Sequence, residues 1–221
     1  MIRYTAHAVP WPRVGLAAVL VIALMELVGR WPWQTWPLAG TAVGLLAAAA
    51  AWCFDEPAAA IVDPAPRSLV WRTLARGSGV LVLAIAWAVA MSRAWDGLFG
   101  HPWVVTVQGA AAMVAGTAWA TWRRAVGVAS PGMPLAISVV PLLTGWALTR
   151  PFDEQLPVFP YAPEGSGDWG ASLVGWACLS MASVILLLAA LADAPWWTLR
   201  SADSSPGSEL DTPAREGRRQ P

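Results

Sequence analysis

Few side chains in this sequence could do chemistry, and where they stand matters more than how many there are. Glu26 is the one carboxylate inside an otherwise apolar run, VGLAAVLVIALMELVG. An ionisable group within a membrane span is a functional candidate by default, for cation or proton binding. Arg30 stands four residues later, in the favourable acid-before-base order, so an ion pair at the interface is the competing reading. The second acidic feature, Asp55-Glu56-Pro57, follows the next apolar run, and Asp63-Pro64-Ala65-Pro66 comes soon after it. Carboxylates in a first turn with a proline behind them make a helix start. Residues before proline avoid the helical region, so such a helix runs from Pro57 to Val62 and is stopped by Asp63-Pro64-Ala65-Pro66. Ser68 can cap a second helix carrying Trp71, Arg72 and Arg76, which runs into the next apolar segment. A short charged helix between two apolar segments suits docking to a soluble partner.

Other chemistries lack their residues. Two histidines, His7 and His101, fall on opposite sides of any membrane consistent with the spans below, so they make no haem or metal pair. Cys53 and Cys178 each lie in an apolar run; two scattered cysteines form no metal motif or disulfide framework and read as small buried residues. The sequence holds no HExxH, no Ser/His/Asp set and no lysine at all. The GSG at Gly77–Gly79 therefore lacks the lysine of a phosphate-binding P-loop. We expect no catalytic residue, no cofactor, no metal and no nucleic-acid partner, with any ATP hydrolysis on another chain.

The elements that must position these residues are membrane spans. The 221 residues are 57% hydrophobic and 13% charged, with a mean hydropathy of +0.51. Long uncharged runs at that composition place the chain in the membrane class. Asparagine is absent along with lysine, while Ala, Gly, Pro and Trp abound, the mark of a GC-rich genome. We expect an all-α, polytopic integral membrane helix bundle of six transmembrane helices, at about 14–29, 36–54, 77–92, 103–122, 131–149 and 169–192. The six-span domain covers 1–199, with the charged loop at 55–76 and a disordered tail at 200–221. The first run could pass for a signal-peptide core, but further spans follow it and no cleavage site does, so it is expected to stay.

Arginine sets the orientation. With the N-terminus inside, the cytoplasmic segments hold eleven arginines and the outer ones only Arg30, Arg93 and Arg150. That positive-inside bias, with an even number of spans, puts both termini in the cytoplasm of a cell whose plasma membrane the chain crosses. Trp31, Trp33, Trp36, Trp95, Trp103 and Trp169 then fall at outer ends, and Trp11, Trp52, Trp71, Trp122, Trp196 and Trp197 at inner ones. Indole prefers the headgroup level, so these are belts.

Gly40 and Gly44 form a GxxxG, and Ala112 and Gly116 a small-xxx-small pair, faces that let helices approach closely. Packing within the chain is the first expectation for them and a dimer contact the second. Pro141 should kink the fifth span. Gln108 and hydroxyls such as Thr41, Thr144 and Ser172 can line a path or, more commonly, bond between helices. The outer segment 150–170 carries Asp153, Glu154, Glu164 and Asp168 against Arg150, and reads as a solvated connection.

Six spans, inward termini, a short cytoplasmic loop after the second span and a longer outer segment before the sixth together resemble the membrane subunit of ABC-2-type exporters. More narrowly, FDEPAAAIVDPAPRSLVWR resembles the loop D-x-P-A-A-x-x-x-D-x-x-P-x-P of small actinobacterial proteins described as ABC transporter permease subunits. In that family the loop is a coupling helix that seats in a groove of a separate ATPase. The resemblance implies contact through Asp55, Glu56, Pro57, Ala58, Ala59, Ala60, Asp63 and Arg67. It also implies an ABC ATPase subunit as partner, with a homodimer or a heterodimer with a sister membrane subunit. Here the N-terminal segment is short and broken by proline, where the family lays an amphipathic helix, and the outer segment is proline-rich, where the family has re-entrant helices. The alternative is a non-transport membrane protein, an assembly factor or regulatory partner of another membrane complex.

Overall fold

The computed structural model describes residues 8–56, 69–152, 155–160 and 168–203, the last eleven of these by backbone alone. Every regular element among them is helical: α1 Trp11–Arg30, α2 Pro32–Thr35, α3 Pro37–Trp52, α4 Leu69–Ala94, α5 Pro102–Ala125, α6 Gly132–Thr149 and α7 Trp169–Asp203, with a single 3₁₀ turn at Trp95–Gly97. Proline stands at the first or second position of α1, α2, α3 and α5, where its missing N–H costs nothing.

Five helices are long and apolar enough to cross a membrane: α1, α4 with its 3₁₀ turn, α5, α6, and α7 as far as Ala192. The protein is a multi-pass membrane helix bundle. The remaining apolar helix, α3, has 16 residues, roughly 24 Å of rise. It is also the centre of the bundle, with eleven of its residues buried against α6, α5 and α1. Its sequence explains the position. Alanine, glycine and valine present little side chain, so neighbouring backbones close in on every side. Gly40 meets Ala147 and the Leu143 carbonyl, Gly44 meets Val140, and Gly116 of α5 lies against the Ala47 carbonyl. The glycine faces thus serve packing within the chain.

α4 starts at Leu69 and runs unbroken through Gly77-Ser78-Gly79, eight residues ahead of the expected span. Gly79 is needed there because a Cβ would stand 2.7 Å from the Cys53 sulfur. Cys53 is buried as expected; Cys178 is exposed, because α7 turns most of its surface outward.

The segment 150–170 departs from expectation where it is described. Val158, Phe159 and Pro160 dip between the helices, and Phe159 is 1% exposed against Trp176. Non-helical backbone at such depth needs partners inside the protein. The Val158 carbonyl finds three: Gln108 Nε2 donates at 3.3 Å, the Ser172 hydroxyl at 3.2 Å and Trp176 Nε1 at 3.0 Å. Gln108 therefore bonds between elements, as does Thr41 with Thr144 at 2.9 Å. Pro141 lies inside α6, which continues through it.

Candidate functional site

The bundle gathers its charged and aromatic groups at two ends. At one end α1 and α4 finish together, with Gly97 against Gly29. Glu26 accepts from Arg30 Nε at 3.0 Å and from Arg93 Nε at 2.6 Å. Glu26 is a quarter exposed and both arginines are more than half exposed, so this is an interfacial ion pair of two helix ends. Arg150 lies over the Trp36 ring, and His101 stacks on Trp169, at the same end.

The opposite end holds the candidate site. Past α3 the chain turns once and presents Asp55 and Glu56 inward, 7% and 5% exposed. Glu56 Oε1 pairs with Arg76 at 2.9 Å and Oε2 with Arg124 at 3.1 Å, with Arg72 at 3.6 Å. Arg72 and Arg76 are four apart on the first turns of α4, so both guanidiniums fall on one face. Arg124 comes from the last turn of α5, where a cation also suits the helix dipole. Its Nη1 donates to the Val128 carbonyl at 3.2 Å, and the Glu56 N–H donates to the Ala129 carbonyl at 2.9 Å.

Asp55 does different work. Its Oδ1 accepts the N–H of Gly132, first residue of α6, at 2.7 Å, and its backbone carbonyl accepts from Arg76 Nη1 at 2.8 Å. It thereby caps a helix 77 residues further on. Gly132 is required there, since a Cβ would collide with Trp52. Burial pushes the Asp55 carboxyl above its ordinary value, against the Gly132 N–H and the positive charge of Arg13, Arg76 and Arg124.

Of the residues that the loop resemblance assigns to partner contact, the structure brings Asp55 and Glu56 together in this cluster. Pro57, Ala58, Ala59, Ala60, Asp63 and Arg67 lie outside the described residues. Arg72, Arg76, Arg124 and Gly132 also belong to the cluster. The sequence places Arg72 and Arg76 on a helix of the loop and Arg124 among the positive-inside charges, with Gly132 an ordinary span residue, and from it none is expected to meet Asp55 or Glu56. The signal that could have found them is the i,i+4 arginine pair facing an acidic pair across one loop. Among the described residues no three metal-ligating side chains converge.

Chemically the cluster is a clamp. Two carboxylates and three guanidiniums, nearly dry, bind the start of the 55–76 loop to α4, α5 and α6 at once. Removing one partner from such a set is costly because the others stay buried and uncompensated. The set therefore holds or releases as a unit. Comparison with known proteins gives no match: no family model, no curated protein and no solved structure.

Proposed function

We propose that this chain is the membrane subunit of an ABC-type transporter, working as an exporter with a separate ATPase that docks on the 55–76 loop. In this reading α3 completes a set of six spans, both termini face the cytoplasm, and the bundle resides in the plasma membrane as a homodimer or beside a sister subunit. The observation that carries it is the clasp of Glu56 by Arg72, Arg76 and Arg124. A loop that receives force from a soluble motor must be tied rigidly to the helices it moves, and this one is tied to three. Arginine asymmetry puts that end in the compartment that holds ATP.

The second reading, an assembly or regulatory partner without transport, has its own support. Gln108, Ser172, Thr41 and Thr144 are bonded inside the bundle, so these four do not mark a hydrophilic path. An apolar or amphiphilic substrate reconciles this with transport.

The deciding experiment is purification of the tagged chain from its native membrane. A Walker-motif ATPase should copurify, and Ala58→Arg with Ala60→Arg should lose it while the chain still inserts. Retention of the ATPase at full yield by that double variant refutes the docking site, and absence of any ATPase favours the second reading.

A further inference from the structure

Of the eighteen residues of α6 only two are buried, Gly132 at its start and Ala147 near its end. The chain leaving α3 makes the first hold. Asp55 Oδ1 accepts the Gly132 N–H at 2.7 Å, and the Glu56 N–H donates to the Ala129 carbonyl at 2.9 Å. Residues 55 and 56 thus grip both the first residue of α6 and the connector that leads into it. The second hold is on α3 itself, where Ala147 fits over Gly40 and Thr144 bonds Thr41 at 2.9 Å. Between the two holds stands Pro141, which has no N–H to offer the Ile137 carbonyl and so leaves the helix weakest there. Gly44 lets α3 touch α6 at Val140, beside that weak point.

We propose that α6 is a lever in two parts, hinged at Pro141 with the contact between Val140 and Gly44 as its pivot. Residues 132–140 follow Asp55 and Glu56, while residues 142–149 stay on α3. A shift of the 55–56 turn is thereby converted into a bend of α6. The first part is free to follow because Met133, Pro134, Ile137 and Ser138 are exposed, so its movement repacks lipid and leaves the core as it is. Gly132 also lies against Trp52, the last residue of α3, but apolar packing is non-directional, whereas the bond to Asp55 fixes a direction. The second part is pinned by a hydrogen bond and a glycine contact that a bend would have to break. Hinges of this kind take up a large change of direction at a few residues and keep the flanking segments rigid. The inference goes beyond the transport reading, since the hinge belongs to this chain alone and works whatever displaces the turn.

The test uses the full chain alone, reconstituted into phosphatidylcholine vesicles, in a background where Cys53 and Cys178 are alanine. Spin labels go on the exposed Leu16 of α1 and on either Ile137, in the first part of α6, or Leu148, in the second, both exposed. Pulsed electron paramagnetic resonance then gives the distance distribution of each pair. Asp55→Ala, which releases the Gly132 N–H, should at least double the width of the Leu16–Ile137 distribution and leave that of Leu16–Leu148 unchanged. Asp55→Asn, which keeps an acceptor, should match the parent in both. Asp55→Glu displaces the acceptor by one methylene; it should shift the Ile137 pair alone and stands in if the alanine variant fails to fold. Adding Pro141→Ala restores the missing N–H, so the two pairs should then respond alike. Equal responses of the two pairs with Pro141 in place, no response to either Asp55→Ala or Asp55→Glu, or a difference that survives Pro141→Ala would each overturn the proposal.

Discussion

Arg76 grips two consecutive residues: Nη1 donates to the Asp55 backbone carbonyl at 2.8 Å and Nη2 pairs with Glu56 Oε1 at 2.9 Å. One guanidinium thus fixes both the path of the chain leaving α3 and the direction of its carboxylate. Because Arg76 is 4% exposed and α4 is a single helix from Leu69 to Ala94, any displacement of that turn is passed along the whole of α4.

The cluster should be intolerant of single losses. Glu56→Gln leaves three guanidiniums around a neutral group and should cost about 3–5 kcal/mol. Arg76→Gln should cost a similar amount, and the double variant should lose less than the two together, with a coupling on the order of 0.5–3 kcal/mol. Thermal unfolding of the four proteins in one detergent completes the cycle; strict additivity would show that the contact carries no energy of its own.

Asp55 should behave as an acceptor more than as a charge. Asp55→Asn keeps an oxygen for the Gly132 N–H and removes a buried carboxylate, so it should be near neutral at pH 7. Asp55→Ala abandons a buried N–H and should cost about 1–3 kcal/mol. The carboxyl binds its proton more tightly folded than unfolded, so its contribution to stability falls as pH rises from the ordinary value of 3.8 to the raised folded value. A stability–pH curve for Asp55→Asn should lack that fall; an unchanged curve would contradict the assignment.

Gly116 has no room. A Cβ there would collide with the Ala47 carbonyl, whereas Gly15 of α1 faces open space. Gly116→Val should cost at least the roughly 1–3 kcal/mol typical of overpacking, and should lower the yield of folded protein. Gly15→Val should leave the yield and the melting temperature unchanged within error.

Glu26 should prove dispensable to function. Glu26→Gln gives up its pairs with Arg30 and Arg93, both largely exposed, and should lower the melting temperature only slightly. Retained ATPase copurification alongside that small shift agrees with an interfacial ion pair. Complete loss of the complex would return Glu26 to the functional residues.

The helices themselves were open to reading from composition, because a lipid solvent demands long apolar stretches and leaves few alternatives. Boundaries at Arg30, Thr149 and Trp169 follow from proline, glycine and charge close at hand. What escaped were relations across the fold. Nothing local at Asp55 announces that it will cap α6, since Gly132 is remote in sequence and any buried acceptor could serve. The burial of Phe159 and Pro160 beside a half-buried Val158 was hidden for a like reason: the proline-rich stretch has the composition of a surface loop, and the donors that let it go inside, Gln108 and Trp176, lie on two other helices. Arg72, Arg76 and Arg124 were visible as charges, but counting them by side of the membrane says nothing of whom they hold.

The account stands or falls on the side of the membrane that the Glu56 cluster and its loop occupy. In a background where Cys53 and Cys178 are alanine, Ala60→Cys can be exposed to a membrane-impermeant maleimide on intact cells and then on lysed ones. We predict no labelling from outside and full labelling after lysis. Labelling of intact cells would place the loop opposite to ATP and contradict the docking of any cytoplasmic motor.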